Sequence, residues 1–188
     1  MSADATRVIV VGDGPGGLSA ALFLAKNGLD AVVYGQDATA MHYAQLHNYL
    51  GAPDTGGTEL QAVARRQVSE QGGDVRDDEV TAASREDAGF VVTTAGGASE
   101  RADYLVLAGG KPMGRLAQQL GAEVAGAGVV VDREQRTSVD RCYAVGRIAR
   151  PNRSQAIISA GAGAVAALDI LSREAGHDVT DWDSPPKD

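Results

Sequence analysis

The spacing of apolar residues changes character several times along the 188-residue chain. Arg7 to Val11 is a short, nearly all-apolar run ending at glycine, the pattern of a parallel strand buried on both faces. Leu18, Ala21, Leu22 and Ala25 then recur at helical spacing, and Gly28 stands where a left-handed residue closes a helix. Ala31 to Tyr34 reads as a second strand, which completes a β-α-β start. Residues 38–58 show no period. Thr58-Glu-Leu-Gln61 reads as a capping box for a helix near Glu59 to Gln71, with Leu60, Val63, Ala64 and Val68 on one face and Gly72-Gly73 at its end.

Short β-type runs follow at Glu79 to Ala83, Phe90 to Thr94 and Tyr104 to Ala108, separated by turn-rich Glu86-Asp87-Ala88-Gly89 and Gly96-Gly97. They predict a meander that leads back into a central strand. Val129 to Asp132 and Cys142 to Val145 predict two more strands, and Gln155 to Glu174 a long Ala-rich helix after Pro151. The tail from His177 is expected to fray. The fold class these elements specify is α/β: a single Rossmann-like domain over 1–176, with a central parallel sheet, flanking helices and a small β-meander, and a C-terminal tail over 177–188.

Composition sharpens this picture in three ways. The length suits one domain with a real core, and 44% hydrophobic but only 4% aromatic residues fit an Ala/Val/Gly-rich α/β protein. No apolar run reads as long and charge-free enough to span a bilayer, and the start lacks the basic and apolar regions of a signal peptide. Cys142 is the single cysteine, so no internal disulfide forms, and a cytoplasmic protein is expected. A formal net charge of −8 argues against nucleic acid or an anionic membrane as partner. Only three of the 17 basic residues are lysine and Asp exceeds Glu, a composition that fits a salt-accumulating halophile or an ordinary acidic protein from a GC-rich genome.

Gly12-x-Gly14-x-x-Gly17 carries the chemistry of the first unit. One glycine makes the tight turn, one lets a pyrophosphate approach the backbone, and one lets the helix pack on its strand. The helix N-terminus then offers partial positive charge to phosphates. The acidic residue that commonly ends the second strand and meets a ribose is missing, because the chain there reads Tyr34-Gly35-Gln36. Gly161-Ala-Gly163-Ala-Val-Ala166 imitates the same motif but follows no strand, so it reads as helix packing. His42, His47 and His177 lack partners at metal-ligand spacing, no Ser-His-Asp or paired-carboxylate arrangement is present, and no catalytic side chain is identified.

Beyond this unit the chain resembles the FAD domain of the thioredoxin reductase family, in order and over most of its length. Leu46-His-Asn-Tyr-Leu-Gly51 is similar to the family's segment near the flavin, with Asn48 at the flavin-contacting position and His47 beside it as a candidate proton donor. Tyr104 to Gly110 resembles the strand that ends in Ala-Thr-Gly, here Ala108-Gly109-Gly110. Tyr143-Ala-Val-Gly146 resembles the run before the family's Gly-Asp pair, and Arg153-Ser-Gln-Ala-Ile157 the helix start that faces the isoalloxazine. The resemblance implies FAD as cofactor. Its contacts would be Gly12, Gly14, Pro15, Gly16 and Gly17 for the pyrophosphate, and Gly35, Gln36 and Asp37 for the ribose. Val80 would bracket the adenine, while His47, Asn48, Ala108, Gly109, Gly110, Gly146, Arg147, Gln155 and Ala156 would lie towards the flavin.

Departures from the family matter as much. The family carries an NADPH-binding domain, usually with a Cys-x-x-Cys pair, where this chain has only the short connection 111–127. Cys142 lies within a strand and reads as a buried thiol. Arg147 replaces the aspartate of the Gly-Asp pair and cannot accept a hydrogen bond, and Arg150 and Arg153 follow it. The cluster is either solvated or serves a pyrophosphate, an anionic reduced flavin or an anionic substrate. The expectation is a minimal FAD-dependent oxidoreductase, not a dithiol disulfide reductase, that takes electrons from a diffusing reductant or a redox partner protein. The family pairing implies a homodimer. The competing expectation is a non-catalytic regulatory or sensor module that binds FAD or another adenine nucleotide.

Overall fold

The most apolar segments of the chain lie side by side in one sheet. The structure, a computed structural model, describes residues 5–87 and 89–184; Ala88 of the expected turn and residues 185–188 of the tail lie outside the described residues. Strand β1 (Arg7–Val11), helix α1 (Pro15–Lys26) and strand β2 (Asp30–Gly35) form the β-α-β unit that the periodicity predicts. A 3-10 turn at Ala40–Tyr43 leads to β3 (Gln45–Leu46) and β4 (Thr55–Gly56), which pair antiparallel, and then to α2 (Gly57–Glu70). Strand β5 (Asp74–Asp77) precedes an antiparallel meander of β6 (Val80–Glu86), β7 (Gly89–Thr94) and β8 (Ser99–Ala102). The chain returns through β9 (Tyr104–Ala108), α3 (Lys111–Gln119) and the hairpin β10 (Val124–Ala125) and β11 (Gly128–Val129). It finishes with β12 (Cys142–Val145), a 3-10 turn at Gly146–Ile148 and α4 (Ala156–Ala175).

The central sheet has the order β12-β9-β1-β2-β5, with every neighbouring pair parallel. Its two faces are covered differently. Val8 and Val10 of β1, Ala31 and Val33 of β2 and Val106 of β9 pack under α1 and α4. Ile9, Val11, Val32, Leu105 and Leu107 point the other way, against α3 and the meander residues Val80, Phe90 and Val92. Burial on both faces is why these strands read as unbroken apolar runs rather than alternating ones.

Helix α4 meets the length and hydropathy of a membrane span, contrary to the expectation that no such run exists. Here Ala162, Gly163, Ala166, Ala167, Ile170 and Leu171 are buried, and the helix packs against α1. A Cβ at Gly163 would strike the carbonyl oxygen of Gly16 and lie 3.0 Å from Ala20 N, so the small residue permits backbone-to-backbone contact between the two helices. Gly161, two residues earlier, is exposed and has nothing within 4 Å of such a Cβ. The far end of α4 is tied down by polar contacts. Asp169 accepts hydrogen bonds from Arg136 Nε at 2.7 Å and from the Tyr143 hydroxyl at 2.6 Å, and also pairs with the second guanidinium nitrogen of Arg136. Burial alone would raise the Asp169 pKa, but the bonds from Arg136 and Tyr143 outweigh it and hold the carboxyl below its ordinary value.

Several expectations differ from the fold for physical reasons. The Thr58-Gln61 capping box does not form: α2 begins at Gly57, its N-cap is Gly56, and Gln61 turns inward instead. Strands β5 and β8 are polar and carry no period of their own, so pairing with β2 and β7 defines them. The connection 111–127 holds the nine-residue helix α3, whose Leu116 and Ala117 are buried. The strand expected over Val129 to Asp132 shrinks to the two-residue β11.

Two outcomes follow from this packing. Gly161→Ala should stabilise the protein by about 0.5–1 kcal/mol through helix propensity, whereas Gly163→Ala should destabilise it by about 1–3 kcal/mol by forcing α1 and α4 apart; urea titration of the two variants checks the contrast. Because the folded-state pKa of Asp169 lies below its unfolded value of 3.8, its contribution is present above that pH and fades as the pH falls through the folded value. Acid unfolding of Asp169→Asn should lack that part of the pH dependence.

Candidate functional site

The C-terminal tips of β1, β2, β9 and β12 open into one cleft of about 390 Å³, within the usual range for small-molecule sites. Val11, Gly35, Ala108 and Val145 mark those tips along its wall. In a parallel sheet this edge is where ligands bind, because the loops there are free and the helices that follow point their N-termini at it. Three helices do so. The first residues of α1, α3 and α4 line the cleft at Gly14-Pro15, at Gly110, Pro112 and Met113, and at Ala156. None of the three has a side-chain cap, so their first N–H groups are left to a ligand or water and carry the positive end of each helix dipole.

The glycine loop shows why each glycine is needed. Gly12 has φ +108°, and a Cβ there would run into the carbonyl oxygen of Ala108 on the neighbouring strand. A Cβ at Gly17 would strike the carbonyl oxygen of Gly12 and sit 3.0 Å from Ala108 Cβ. At Gly14, by contrast, a Cβ would meet only Thr39 Oγ1 at 3.7 Å, so this backbone faces the open cleft. Gly109 O accepts from Ile148 N at 2.7 Å and joins the β9 tip to the turn after β12. This bond brings Ala108-Gly109-Gly110 beside Gly146 and Arg147, segments far apart in sequence.

Most of the residues named from sequence line this cleft: Gly12, Gly14, Pro15, Gly16, Gly17, Gly35, Gln36, Val80, Ala108, Gly109, Gly110, Gly146, Arg147 and Ala156. Four stand apart from it. The carboxylate of Asp37 faces His42, with Oδ1 3.3 Å from Nε2. His47 is exposed and its Nδ1 lies 3.0 Å from Asp54 Oδ1. Asn48 Nδ2 donates to Gln155 Oε1 at 3.1 Å, which ties the 45–56 loop to the start of α4 without placing either side chain in the lining. Arg147 is exposed, forms no ion pair among the described residues, and its Cδ lies 3.9 Å from the position of a Cβ on Gly110.

Sequence reasoning missed Asp13, Thr39, Met41, Met113 and Ser159, all of which line the cleft. Thr39 accepts from Met41 N at 3.3 Å and so shapes the 3-10 turn over Gly14. Asp13 is the largest omission. It is only 5% exposed, its Oδ2 accepts from Asp37 N at 3.0 Å and pairs with Arg65, and its backbone oxygen accepts from buried Gln61 at 2.7 Å. Among the described residues no histidine, lysine or cysteine lines the cleft; the ionisable side chains that do are Asp13, Tyr34, Asp78, Glu79 and Arg147. Burial raises the Tyr34 pKa further, so the phenol stays protonated at neutral pH. Cys142 lies fully buried in β12, with its thiol pushed up to about 12 by burial. Among the described residues no cluster of His, Cys, Asp and Glu could hold a metal ion.

Known proteins share this fold. The profile of the pyridine nucleotide-disulphide oxidoreductases matches residues 52–166, more than half of the chain, and that of an FAD binding domain matches residues 7–46. No curated protein matches the sequence. Among solved structures, a thioredoxin reductase from Gloeobacter violaceus superposes with a TM-score of 0.85 at 18% identity, covering 98% of this chain and 100% of that one. An atypical thioredoxin reductase from Desulfovibrio vulgaris Hildenborough gives 0.82 at 19% identity, over 92% and 99%. A ferredoxin-flavin thioredoxin reductase from Clostridium acetobutylicum gives 0.80 at 15% identity, over 93% and 99%. The open backbone at Gly14 and the three uncapped helix N-termini fit a dinucleotide pyrophosphate, in keeping with FAD as cofactor. The chain belongs to the pyridine nucleotide-disulphide oxidoreductase family, as an FAD-binding domain with the fold of the thioredoxin reductases.

Proposed function

We propose that this chain is a minimal flavoprotein, one FAD-binding unit over 1–176, that passes electrons between an external reductant or redox partner and an acceptor without a dithiol relay. The observation that carries this reading is the content of the interval between β9 and β12. It holds only α3 and the β10-β11 hairpin, while the strand tips on either side still build a complete cleft. Bound FAD supplies hydride and single-electron chemistry. The chain's own part is to hold and orient it. The α1 N-terminus and the Gly12 to Gly17 backbone take the pyrophosphate, Val80 flanks the adenine, and Gly109, Gly110, Gly146 and the first turn of α4 face the redox end. Asn48 and Gln155 close the loop over that end, with His47 at its outer edge.

Among the described residues the cleft lining holds no histidine, lysine or cysteine, which fits chemistry carried by the cofactor. The same absence favours, as a second reading, a regulatory module that senses FAD or its redox state. A cytoplasmic homodimer belongs to the proposal as well. Tyr43 and Leu50, 95% and 89% exposed, offer apolar surface beside the site for a second copy.

The purified protein should be yellow, be bleached anaerobically by dithionite, and fail to reduce thioredoxin or aromatic disulfides with NADPH. Light scattering of the same sample should give twice the chain mass. A colourless product after refolding with excess FAD overturns the flavoprotein reading, and rapid NADPH-dependent disulfide turnover overturns the claim of an external donor. If Arg147 neutralises the pyrophosphate, Arg147→Ala should weaken FAD binding about ten- to a hundredfold and Arg147→Asp more, as followed by flavin fluorescence. Unchanged affinity in both variants would mark it as a solvated side chain.

A further inference from the structure

The missing acid at the end of β2 has a counterpart elsewhere in the same volume. A side chain at Gly35 cannot coexist with Asp13: a Cβ there would lie 2.5 Å from Asp13 Oδ1 and overlap its carboxyl carbon. The carboxylate of Asp13 therefore fills the space above the β2 tip that a glutamate at position 35 would occupy. The other acid in reach, Asp37, is spent on His42, while its N–H anchors Asp13. Both of the described bonds to the Asp13 carboxylate end on Oδ2, from Asp37 N and Arg65; Oδ1 has no partner among the described residues. Arg65 is itself held by Asp77, and buried Gln61 fixes the Asp13 main chain from below. The result is a nearly buried carboxylate, on a residue that lines the cleft beside Gly12, Gly14, Gly35 and Gln36, whose Oδ1 lies at Gly35 and has no partner among the described residues. A carboxylate oxygen withdrawn from bulk water gains most from a hydroxyl donor that enters with the ligand.

We infer that Asp13 is the ribose-recognition residue of this site: its Oδ1 accepts a hydrogen bond from the adenosine ribose hydroxyls, a role moved from the β2 tip onto the glycine loop and made possible by Gly35. The inference rests on the reading of the cleft as an adenine-dinucleotide site. It also sets specificity, because a 2′-phosphate would meet a fixed negative charge and be rejected. Arg65, the cation paired with Asp13, is already shared with Asp77. Its charge is therefore committed.

Calorimetric titration of the full chain with ADP and with 2′,3′-dideoxy-ADP tests this directly. The wild-type chain should prefer ADP by about tenfold or more, the size of a charge-assisted hydrogen bond. Asp13→Asn should lose most of that preference. Gly35→Glu alone should bind neither nucleotide well, since two side chains compete for one space, and the exchange Asp13→Gly with Gly35→Glu should regain a preference for ADP. Equal affinity for the two nucleotides in the wild-type chain overturns the assignment, as does an undiminished preference in Asp13→Asn, which would leave Asp13 a purely structural role. A chain that shows no flavin band with excess FAD yet keeps the ADP preference removes the flavoprotein reading and leaves the ribose contact standing.

Discussion

The site exists because backbones touch at three points where no side chain intervenes. Gly12 lies against the Ala108 carbonyl, Gly17 against the Gly12 carbonyl, and Gly163 against the Gly16 carbonyl, so β1, β9, α1 and α4 meet at van der Waals distance. A single Cβ at any of these points would lift a helix from the sheet or a strand tip from its neighbour. The α1-α4 contact carries the N-terminus of a helix from the far end of the chain to the same cleft as the glycine loop. A motif in the first twenty residues thereby shares one site with residues 146–159.

Electrostatics then decides what such a cleft accepts. The chain as a whole carries −8, yet the cleft gathers three uncapped helix N-termini and Arg147 on its walls. Partial positive charge in a low-dielectric recess outweighs a distant, screened negative surface. An anionic pyrophosphate is therefore accommodated by an acidic protein. Negative charge inside the cleft comes from Asp13, Asp78 and Glu79, and that of Asp13 is held in place by Arg65 and Asp37 N.

The β-α-β unit, the meander core, the central strand β9 and the long last helix were legible in the sequence, because each has a local cause: an apolar run buried on both faces, a helical stripe, or a glycine that permits φ > 0. The reading of Gly161 to Ala166 as packing had the same footing, and Gly163 lies at the tightest point of the α1-α4 contact. The two polar strands had no such local cause. Asp74 to Asp77 is a strand only because β2 offers an unpaired edge, and Ser99 to Ala102 only because β7 does.

What the tertiary structure alone decided was the use of polar groups. Thr58 and Gln61 have the spacing of a capping box, but Thr58 Oγ1 meets His42 at 3.0 Å and Gln61 reaches under the glycine loop to Asp13 O. Asp37 follows β2 where a ribose-binding acid is looked for, yet its carboxylate turns to His42, and Asp13, a variable position of the motif by pattern, takes the space above Gly35. Hydrophobic period is a property of neighbours in sequence, so the chain itself displays it. A hydrogen bond's partner is set by which backbones come within 3 Å after the sheet and helices have closed, and at that range the residues that meet at Asp13 are 24, 48 and 52 positions apart.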